Sequence, residues 1–223
     1  MEREVSAILI DLDDTLYDYH SCNNYALKRV LTRLSITFEK PEDILEQIFH
    51  ESRKNVKKYL GNTAASHSRF LYIQKTIESL NGKTNLALTH ELYELFWESY
   101  LEKMKLREGA LDFLTHIKQM GIKIAIITDL TAPIQFKKIM KLGLQDYIDF
   151  VITSEEAEKD KPENGIFDIA MEKLGCTKEE VAIIGDDIEK EIYWAKKFEV
   201  RHYHLDEFDF QALLEQFKNI KRP

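Results

Sequence analysis

The chain has 223 residues, of which 44% are hydrophobic, so it is long enough to bury the core of one domain, or of one domain with an insertion. A formal net charge of -8 argues against a general affinity for nucleic acid or anionic membranes, because both depend on clustered basic residues. The two cysteines, Cys22 and Cys176, lack metal-type spacing and argue against a disulfide framework, and the start of the chain lacks an export pattern, so we expect a soluble cytoplasmic protein.

The first predicted element is a short apolar strand that ends in acidic residues. Residues 7–10 form the run Ala-Ile-Leu-Ile, which is typical of a buried strand, and Asp11 and Asp13 follow it. With the two-residue period of an extended chain, both aspartates point to the same side as the chain leaves the sheet. Carboxylates at such a place suit a hard cation such as Mg2+, or covalent chemistry in which an aspartate attacks phosphorus.

The segment that follows, from about residue 23 to residue 105, predicts one helix after another and no strand. Its apolar residues recur at helical spacing on four faces, within residues 26–34, 44–60, 70–80 and 92–104. Gly61 and Gly82 suit helix ends. Because four such helices are enough to bury a small core of their own, we predict a helical domain at residues 19–105.

From residue 106 onward the pattern alternates between helix and strand. Helices are predicted at residues 109–120, 134–141 and 166–174, and strands at residues 123–127, 150–153, 181–184 and 200–205. The Ile-Ala-Ile-Ile run in the first of these strands is typical of a parallel strand that is covered on both faces. The sequence therefore predicts an α/β fold: a doubly wound parallel sheet formed by residues 1–18 and 106–223, with the helical domain inserted after the first strand.

Polar side chains follow three of the predicted strands. They are Asp11 and Asp13 after the first strand, Thr128 after the second, and Asp186 and Asp187 after the strand at 181–184. In open parallel sheets ligands bind outside the carboxyl ends of the strands, so we expect these side chains to meet at one edge. The loop Lys159-Asp160-Lys161-Pro162 adds cations that can reach a phosphoryl group at the same edge.

These segments occur in the order of the four motifs of a known family, and the sequence resembles the haloacid dehalogenase superfamily over most of its length. Asp11-Leu12-Asp13-Asp14-Thr15-Leu16 is similar to the first motif, Ile126-Ile127-Thr128 to the second, Lys161-Pro162 to the third, and Gly185-Asp186-Asp187 with Glu191 to the fourth. The helical insertion resembles the type-one cap of that family. Each motif alone is a weak signal, whereas four in order, each at the end of a predicted strand or before a helix, are a strong one.

The resemblance implies a division of labour among the catalytic residues. Asp11 is the implied nucleophile, whose carboxylate attacks phosphorus, and Asp13 protonates the departing alkoxide and later deprotonates the hydrolytic water. Thr128 donates a hydrogen bond to a phosphoryl oxygen. Lys161 pairs with the phosphoryl group and keeps Asp11 from being repelled by it.

The resemblance also implies a Mg2+ cofactor. The implied ligands are Asp11, the backbone carbonyl of Asp13 and Asp186, with Asp187 or Glu191 orienting the metal-bound waters. Glu191 stands where the family often has an aspartate. The glutamate keeps the charge and lengthens the side chain. The alternative for Glu191 is an ordinary solvated acid at a charged helix start.

Other side chains near the motifs have simpler interpretations. Asp14 and Thr15 are assigned to shaping the turn after the first strand, because the mechanism does not need their side chains. Lys159 is a rival of Lys161, but only Lys161 directly precedes a proline, as in the family pattern.

Substrate choice in this family resides largely in the cap, so we expect a specificity loop in the helical domain. The small, polar stretch at residues 61–69, with His67 and Arg69, is the candidate. A plain turn between helices is the alternative.

The implied function is Mg2+-dependent hydrolysis of a small phosphorylated metabolite, such as a nucleotide or a sugar phosphate, through an aspartyl-phosphate. A capped phosphomutase keeps both aspartates and stays open as an alternative. A haloacid dehalogenase-type hydrolase is a further alternative, although the dehalogenases of the family lack an aspartate at the position of Asp13. From another class, a non-catalytic metabolite-binding module is the alternative, and the complete set of acids argues against it. The expected partner is a small phosphomonoester, with neither nucleic acid nor membrane involved.

Overall fold

The computed structural model describes residues 5–218, in which the chain forms two compact units. The chain passes from one unit to the other after Asp18 and returns after Met104, so one unit is continuous and the other is built from two segments. These crossings lie at, or within one residue of, the boundaries 18/19 and 105/106 expected from the sequence. Within the described residues, no helix is both long enough and apolar enough to cross a membrane.

The two-segment unit is built on a five-stranded sheet whose neighbouring strands are all parallel. The strands are β1 (Ala7–Ile10), β2 (Lys123–Thr128), β3 (Phe150–Thr153), β4 (Val181–Gly185) and β5 (Arg201–His204). Their order across the sheet is β3-β2-β1-β4-β5, which places β1 at the centre. Ile10 at the end of β1 lies level with Ile126 on one side and Ile184 on the other, so the carboxyl ends of the central strands meet at one edge.

Helices follow the strands of this unit and cover the sheet. They are α5 (Ala110–Gln119), α6 (Ala132–Lys141), α7 (Asn164–Leu174), α8 (Tyr193–Lys197) and α9 (Phe210–Lys218). All residues of β1 and β4 are buried, because their side chains alternate between two covered faces. One core cluster joins the strands to α7 and α8, where the rings of Phe167 and Trp194 stack with centroids 4.1 Å apart.

The continuous unit, residues 19–104, is a bundle of four helices. They are α1 (Tyr19–Phe38), α2 (Glu42–Leu60), α3 (Arg69–Asn81) and α4 (Leu86–Lys103), with a short 3-10 helix at Ala64–His67 before α3. Two helices begin at a polar side chain that accepts a backbone hydrogen bond: Ser68 accepts from the N–H of Leu71, and Asn85 from that of Leu88. Gly82 ends α3 with a φ of 71°, a left-handed conformation that glycine adopts without a steric cost.

The predicted α/β fold class with a parallel sheet is confirmed, and each strand lies within one residue of its predicted ends. The sequence did not predict α9, nor the π-helical turn Ile188–Ile192 that runs into α8. The description of residues 61–69 as a loop is wrong for Ala64–His67, which form the 3-10 helix, and for Arg69, which begins α3. Helices as short as these depend on packing against the rest of the unit more than on local propensity.

Substituting Phe167 by alanine should strongly destabilise the two-segment unit. The side chain is fully buried against Trp194, and its removal leaves a cavity that costs about 3–5 kcal/mol in the free energy of unfolding. Phe136→Ala is the control, because Phe136 is 50% exposed and its loss should cost about 1 kcal/mol or less. Urea unfolding followed by tryptophan fluorescence measures both. Equal losses in the two variants would contradict the place of Phe167 in the core.

Candidate active site

The carboxyl edge of the sheet brings together the side chains predicted from the strand ends. Asp11 follows β1, Thr128 ends β2 and Asp186 follows β4, and these three strands are neighbours in the sheet. The Asp11 N–H continues the ladder by donating to the carbonyl oxygen of Ile184 at 3.0 Å. The backbone is therefore fixed at the point where the acidic side chains leave the sheet.

The ammonium group of Lys161 lies between two buried carboxylates at this edge. It forms ion pairs with Asp11 Oδ1 and Glu191 Oε1, and it donates to the carbonyl oxygen of Ile127 at 3.1 Å. Lys161 is 4% exposed and Glu191 is 1% exposed. Lys159, its rival in the sequence, is exposed. Lys161 is therefore the lysine of this loop that reaches Asp11.

Burial and neighbouring charges shift the pKa values in this cluster. Burial raises the pKa of Asp11, the Lys161 ammonium opposes the shift, and nearby carboxylates add to it, so that the pKa lies well above its usual value. Burial also raises the pKa of Glu191. Burial alone would lower the pKa of Lys161, but the carboxylates around it outweigh that effect and raise it. The lysine therefore stays charged, and an added cation would favour the ionised form of Asp11.

Glu191 reaches Lys161 because Gly185 leaves space for it. A Cβ atom on Gly185 would lie 2.9 Å from Glu191 Oε2, which is closer than real Cβ atoms approach, and 3.0 Å from the Cβ and Cγ atoms of Glu191, which is unusually tight. The π-helical turn Ile188–Ile192 sets the backbone that carries the carboxylate to this place, and turns of this kind recur at functional sites. The glycine of the fourth motif is thus required by packing, and the observed partner of Glu191 is Lys161.

The carboxylate of Asp13 is held by two fully buried side chains. The Tyr17 hydroxyl donates to Oδ1 at 2.5 Å, and Lys138 Nζ on α6 lies 2.8 Å from both Oδ1 and Oδ2. Lys138 was not predicted from the sequence. The signal that could have found it is its position on the same face of α6 as Ile134 and Ile139, which helical spacing predicts to be buried.

Gln135, also on α6, determines which way the Thr128 hydroxyl points. The side-chain atom of Gln135 that lies 2.6 Å from the carbonyl oxygen of Asp129 is assigned as the amide nitrogen, because a carbonyl oxygen can only accept. The same nitrogen is 2.5 Å from Thr128 Oγ1, so the hydroxyl accepts this hydrogen bond. Its own proton has a long contact of 3.3 Å to the Asp129 carbonyl and can turn toward a ligand. Because the hydroxyl accepts from Gln135, its own proton is left for donation to another acceptor.

Thr15 does more than shape the turn, so its assignment to the turn alone is wrong. Its hydroxyl donates to Asp186 Oδ1 at 2.8 Å and thereby orients a predicted metal ligand. The assignment of Asp14 to the turn is consistent with its backbone φ of 66°, a conformation that aspartate adopts more readily than most residues. The two neighbours in the turn therefore have different roles.

Two further carboxylates hold the loops around the edge. Asp187 accepts from the Glu189 N–H at 2.8 Å and caps the π-helical turn. Asp129 accepts from the Lys161 N–H at 3.0 Å and pairs with Lys190 Nζ at 3.1 Å. Asp129 and Lys190 were not predicted from the sequence. By fixing the backbone of Lys161, Asp129 helps to aim its ammonium at Asp11.

The predicted metal set consists of two side chains and one main-chain oxygen. Asp11 and Asp186 directly follow the neighbouring strands β1 and β4, so both carboxylates leave the sheet at the same edge. Within residues 5–218, no three His, Cys, Asp or Glu side chains converge to form a complete metal site. The residues nevertheless fit Mg2+, which is commonly bound by one or two carboxylates and completes its shell with water and substrate oxygens. The carbonyl oxygen of Asp13 would add a third protein ligand.

The two residues predicted for substrate specificity lie in the helical unit and have different surroundings. His67 ends the 3-10 helix and is half-buried. Arg69 is 5% exposed, and its guanidinium donates to the His67 carbonyl at 2.9 Å, to the Tyr19 hydroxyl at 2.5 Å and to Asn23 Oδ1 at 3.2 Å. Arg69 is thus packed within the bundle, which leaves little of its surface for a substrate.

The chemistry available at the sheet edge is attack by a carboxylate with acid–base assistance. Asp11 is a carboxylate that can attack an electrophile, and Asp13, two residues later, is one that can carry a proton. Lys161 and Thr128 supply a charge and a hydroxyl to one anionic group. An electrophile that itself carries negative charge, as a phosphoryl group does, suits this combination.

Comparison with known proteins identifies the family. The sequence profile of the haloacid dehalogenase-like hydrolases matches residues 8–204. The chain belongs to the haloacid dehalogenase-like hydrolase family. The match runs from β1 to β5, so it includes all the strand ends described above and confirms the resemblance seen in the motifs.

Named phosphatases are among the relatives of this haloacid dehalogenase-like hydrolase. Ribulose-1,5-bisphosphate 5-phosphatase from Halopiger xanaduensis is 36% identical, over 84% of this chain and 79% of its own length. Glyceraldehyde 3-phosphate phosphatase from Methanocaldococcus jannaschii is 29% identical, over 86% of this chain and 81% of its own. The solved structure of the HAD-hydrolase YfnB from Bacillus subtilis, bound to magnesium, has the same fold, with a TM-score of 0.64, 18% identity, and coverage of 90% of this chain and 86% of its own.

Replacing Glu191 by glutamine should destabilise this haloacid dehalogenase-like hydrolase more than a surface change does. Glutamine keeps the shape but removes the charge that faces Lys161 in a buried site, so the free energy of unfolding should fall by about 1–3 kcal/mol. The matched control is Glu189→Gln, an exposed position two residues earlier, where the change should stay within about 0.5 kcal/mol. Urea unfolding at neutral pH compares them. A loss no larger than that of the control would count against the ion pair.

Proposed function

We propose that this protein is a Mg2+-dependent phosphatase that hydrolyses a small phosphorylated metabolite through an aspartyl-phosphate intermediate. Of the two substrate classes, we favour a sugar phosphate over a nucleotide. The observation that carries the proposal is the Asp11 carboxylate, which is buried at the carboxyl end of the central strand and paired with Lys161. The Asp13 carboxylate follows two residues later and is the acid–base group of the proposal. The names of the two relatives, both phosphatases of sugar phosphates, support the substrate class.

Each chemical step in this proposal uses a group that is already in place. Asp13 enters the cycle as the protonated acid, with the proton taken from the hydrolytic water of the preceding turnover. An oxygen of Asp11 attacks phosphorus while the bond from phosphorus to the alcohol oxygen breaks, and Asp13 gives its proton to that oxygen. The Lys161 ammonium and the Thr128 hydroxyl offset the charge on the phosphoryl oxygens. A water molecule then attacks the aspartyl-phosphate at phosphorus and loses a proton to Asp13, which restores Asp11 and releases phosphate.

We assign the metal to Asp11, the backbone carbonyl of Asp13 and Asp186. Thr15 supports this assignment, because its hydroxyl donates to one oxygen of Asp186 and so fixes the orientation of the carboxylate. When bound, Mg2+ neutralises charge on the phosphoryl group and offsets the burial that raises the pKa of Asp11. Asp187 and Glu191 are the candidates for orienting the metal-bound waters. The magnesium bound to YfnB is consistent with this cofactor.

We further propose that the helical unit, residues 19–104, is a cap that selects the substrate. His67 is the candidate for direct contact, because it is half-buried at the end of the 3-10 helix. Arg69 contributes through His67, whose carbonyl it holds at 2.9 Å. Cap residues of this kind change the choice of substrate and leave the chemical steps to the sheet edge.

The remaining features of the proposal concern the setting of the reaction. We propose that the protein works in the cytoplasm, because Cys22 and Cys176 are both free thiols, which suits a reducing compartment. The formal net charge of -8 supports a small-molecule partner and argues against nucleic acid.

Substituting Asp11 by asparagine should abolish phosphatase activity. The amide cannot attack phosphorus, so phosphate release should fall at least about 10³-fold on every substrate that the parent hydrolyses. The panel contains ribulose 1,5-bisphosphate, glyceraldehyde 3-phosphate, nucleoside monophosphates and p-nitrophenyl phosphate, and phosphate release is measured with Mg2+ and after chelation.

The control for this experiment is Asp112→Asn, an exposed position on α5 that should retain the parent rate. Turnover that is insensitive to Asp11→Asn or to chelation would refute the aspartyl-phosphate mechanism. The absence of turnover on the whole panel would count against the phosphatase itself.

Magnesium should stabilise the folded protein in a way that depends on Asp186. A ligand that binds only the native state adds about 2.7 kcal/mol at a concentration one hundred times its Kd, so the midpoint of thermal unfolding should rise with MgCl2. Asp186→Asn should remove most of that rise, because the amide is a poorer ligand for a hard cation. NaCl at matched ionic strength is the control. An equal rise in the parent and in Asp186→Asn would contradict the assigned site.

A further inference from the structure

The ion pair between Lys138 and Asp13 has a geometry that surface pairs do not have. Lys138 is fully buried on α6, and its Nζ is 2.8 Å from each oxygen of the Asp13 carboxylate. The carboxylate side chain is 20% exposed, so it keeps an open side while the lysine covers another. A lysine that contacts both oxygens fixes the rotation of the carboxyl group as well as its position.

Other side chains restrict the same carboxylate. The Tyr17 hydroxyl donates to Oδ1 at 2.5 Å, and the Tyr17 ring centroid is 5.8 Å from the Lys138 ammonium. Gln135 Nε2, one helical turn before Lys138, lies 3.5 Å from Oδ2. The carboxyl group therefore has defined neighbours at both oxygens, and its freedom to turn away from a leaving group is small.

A buried lysine is an expensive way to stabilise a helix. Removing an ammonium from water costs more than an ion pair usually returns, and an apolar side chain on the inner face of α6 would pack without that cost. The geometry of Lys138 is better explained by a task at Asp13. A proton-transfer group needs its atoms held near the reacting oxygen, since small misplacements are costly in rate.

We propose that Lys138 is a positioning residue, which holds the Asp13 carboxyl group in the orientation that delivers a proton to the leaving alcohol. This inference rests on the proposed function, in which Asp13 is the acid. As the bond between phosphorus and the alcohol oxygen breaks, the proton moves from Asp13 to that oxygen, and the Asp13 carboxylate that remains is paired with the Lys138 ammonium. Lys138 itself neither gains nor loses a proton.

Two substrates of similar shape separate this role from a purely structural one. Benzyl phosphate releases a poor leaving group that needs a proton, whereas p-nitrophenyl phosphate releases a stabilised phenolate that needs little help. The value of kcat/KM reports the steps up to release of the alcohol, and therefore isolates the acid role of Asp13 from its later role as a base. A residue that only stabilises the fold would affect both substrates alike.

The experiment compares Lys138→Met with Lys137→Met, its exposed neighbour on α6, for both substrates with Mg2+. Lys138→Met should lower kcat/KM for benzyl phosphate by about 10²-fold, within the range of general acid catalysis, and that for p-nitrophenyl phosphate by less than about fivefold. Lys137→Met should leave both values within about twofold of the parent. Lys138→Arg keeps the cation but not its reach, so its loss on benzyl phosphate should be intermediate.

A double substitution tests whether the effect of Lys138 depends on Asp13, and it avoids leaving a buried charge without its partner. In an Asp13→Asn background, Lys138→Met removes both members of the pair, and it should change kcat/KM for benzyl phosphate less than about twofold because the group it positions is already lost. If Lys138→Met alone does not fold, the effect of Lys138→Arg on the two substrates decides whether Lys138 positions Asp13.

The outcomes separate this inference from the proposed function. If Asp13→Asn does not reduce kcat/KM for benzyl phosphate, the proposed mechanism fails and the role of Lys138 with it. If Asp13→Asn does reduce it, while Lys138→Met behaves like Lys137→Met or lowers both substrates equally, only the role of Lys138 is overturned.

Discussion

The organisation of the candidate active site depends on the buried ion cluster in which the Lys161 ammonium lies between the carboxylates of Asp11 and Glu191. Buried charges are a poor source of stability, because their removal from water costs about as much as their attraction returns. Such a cluster persists only where packing leaves it no alternative arrangement. Gly185 provides the space for Glu191, and Asp129 fixes the backbone N–H of Lys161. The result is an Asp11 carboxylate whose surroundings are set by the fold itself.

The groups at the sheet edge are carried by strands, but their orientation comes from a helix. Asp13 and Thr128 follow or end neighbouring strands, and the groups that hold them, Lys138 and Gln135, lie one turn apart on α6. A side chain at a strand end has few neighbours of its own, because the chain turns away from the sheet there. The inner face of α6 supplies those neighbours, so the helix after the second motif belongs to the site as much as the motif does.

The sheet and its acidic edge could be predicted because both follow from local rules. Apolar runs define the strands, and the carboxyl ends of parallel strands share an edge, which groups Asp11, Thr128 and Asp186 without any distance being known. The partners of these residues depend on which side chains are buried together, and one sequence does not report that. In the sequence Lys138 resembles any helical lysine, and only its place on the buried face of α6 distinguishes it. The hydrogen bond from Thr15 to Asp186 joins residues far apart in the chain and becomes visible only in the folded structure.

The central position of β1 has a consequence for how the chain is made. β1 leaves the ribosome before its neighbours β2 and β4, which follow the entire helical unit in the chain. Pairings across such separations form slowly, and an apolar strand without neighbours is open to aggregation in the meantime. The helical unit is contiguous and completes its bundle from local contacts. The strand that ends at Asp11 is therefore synthesised before both of its partners and becomes fully paired only after β4 has emerged.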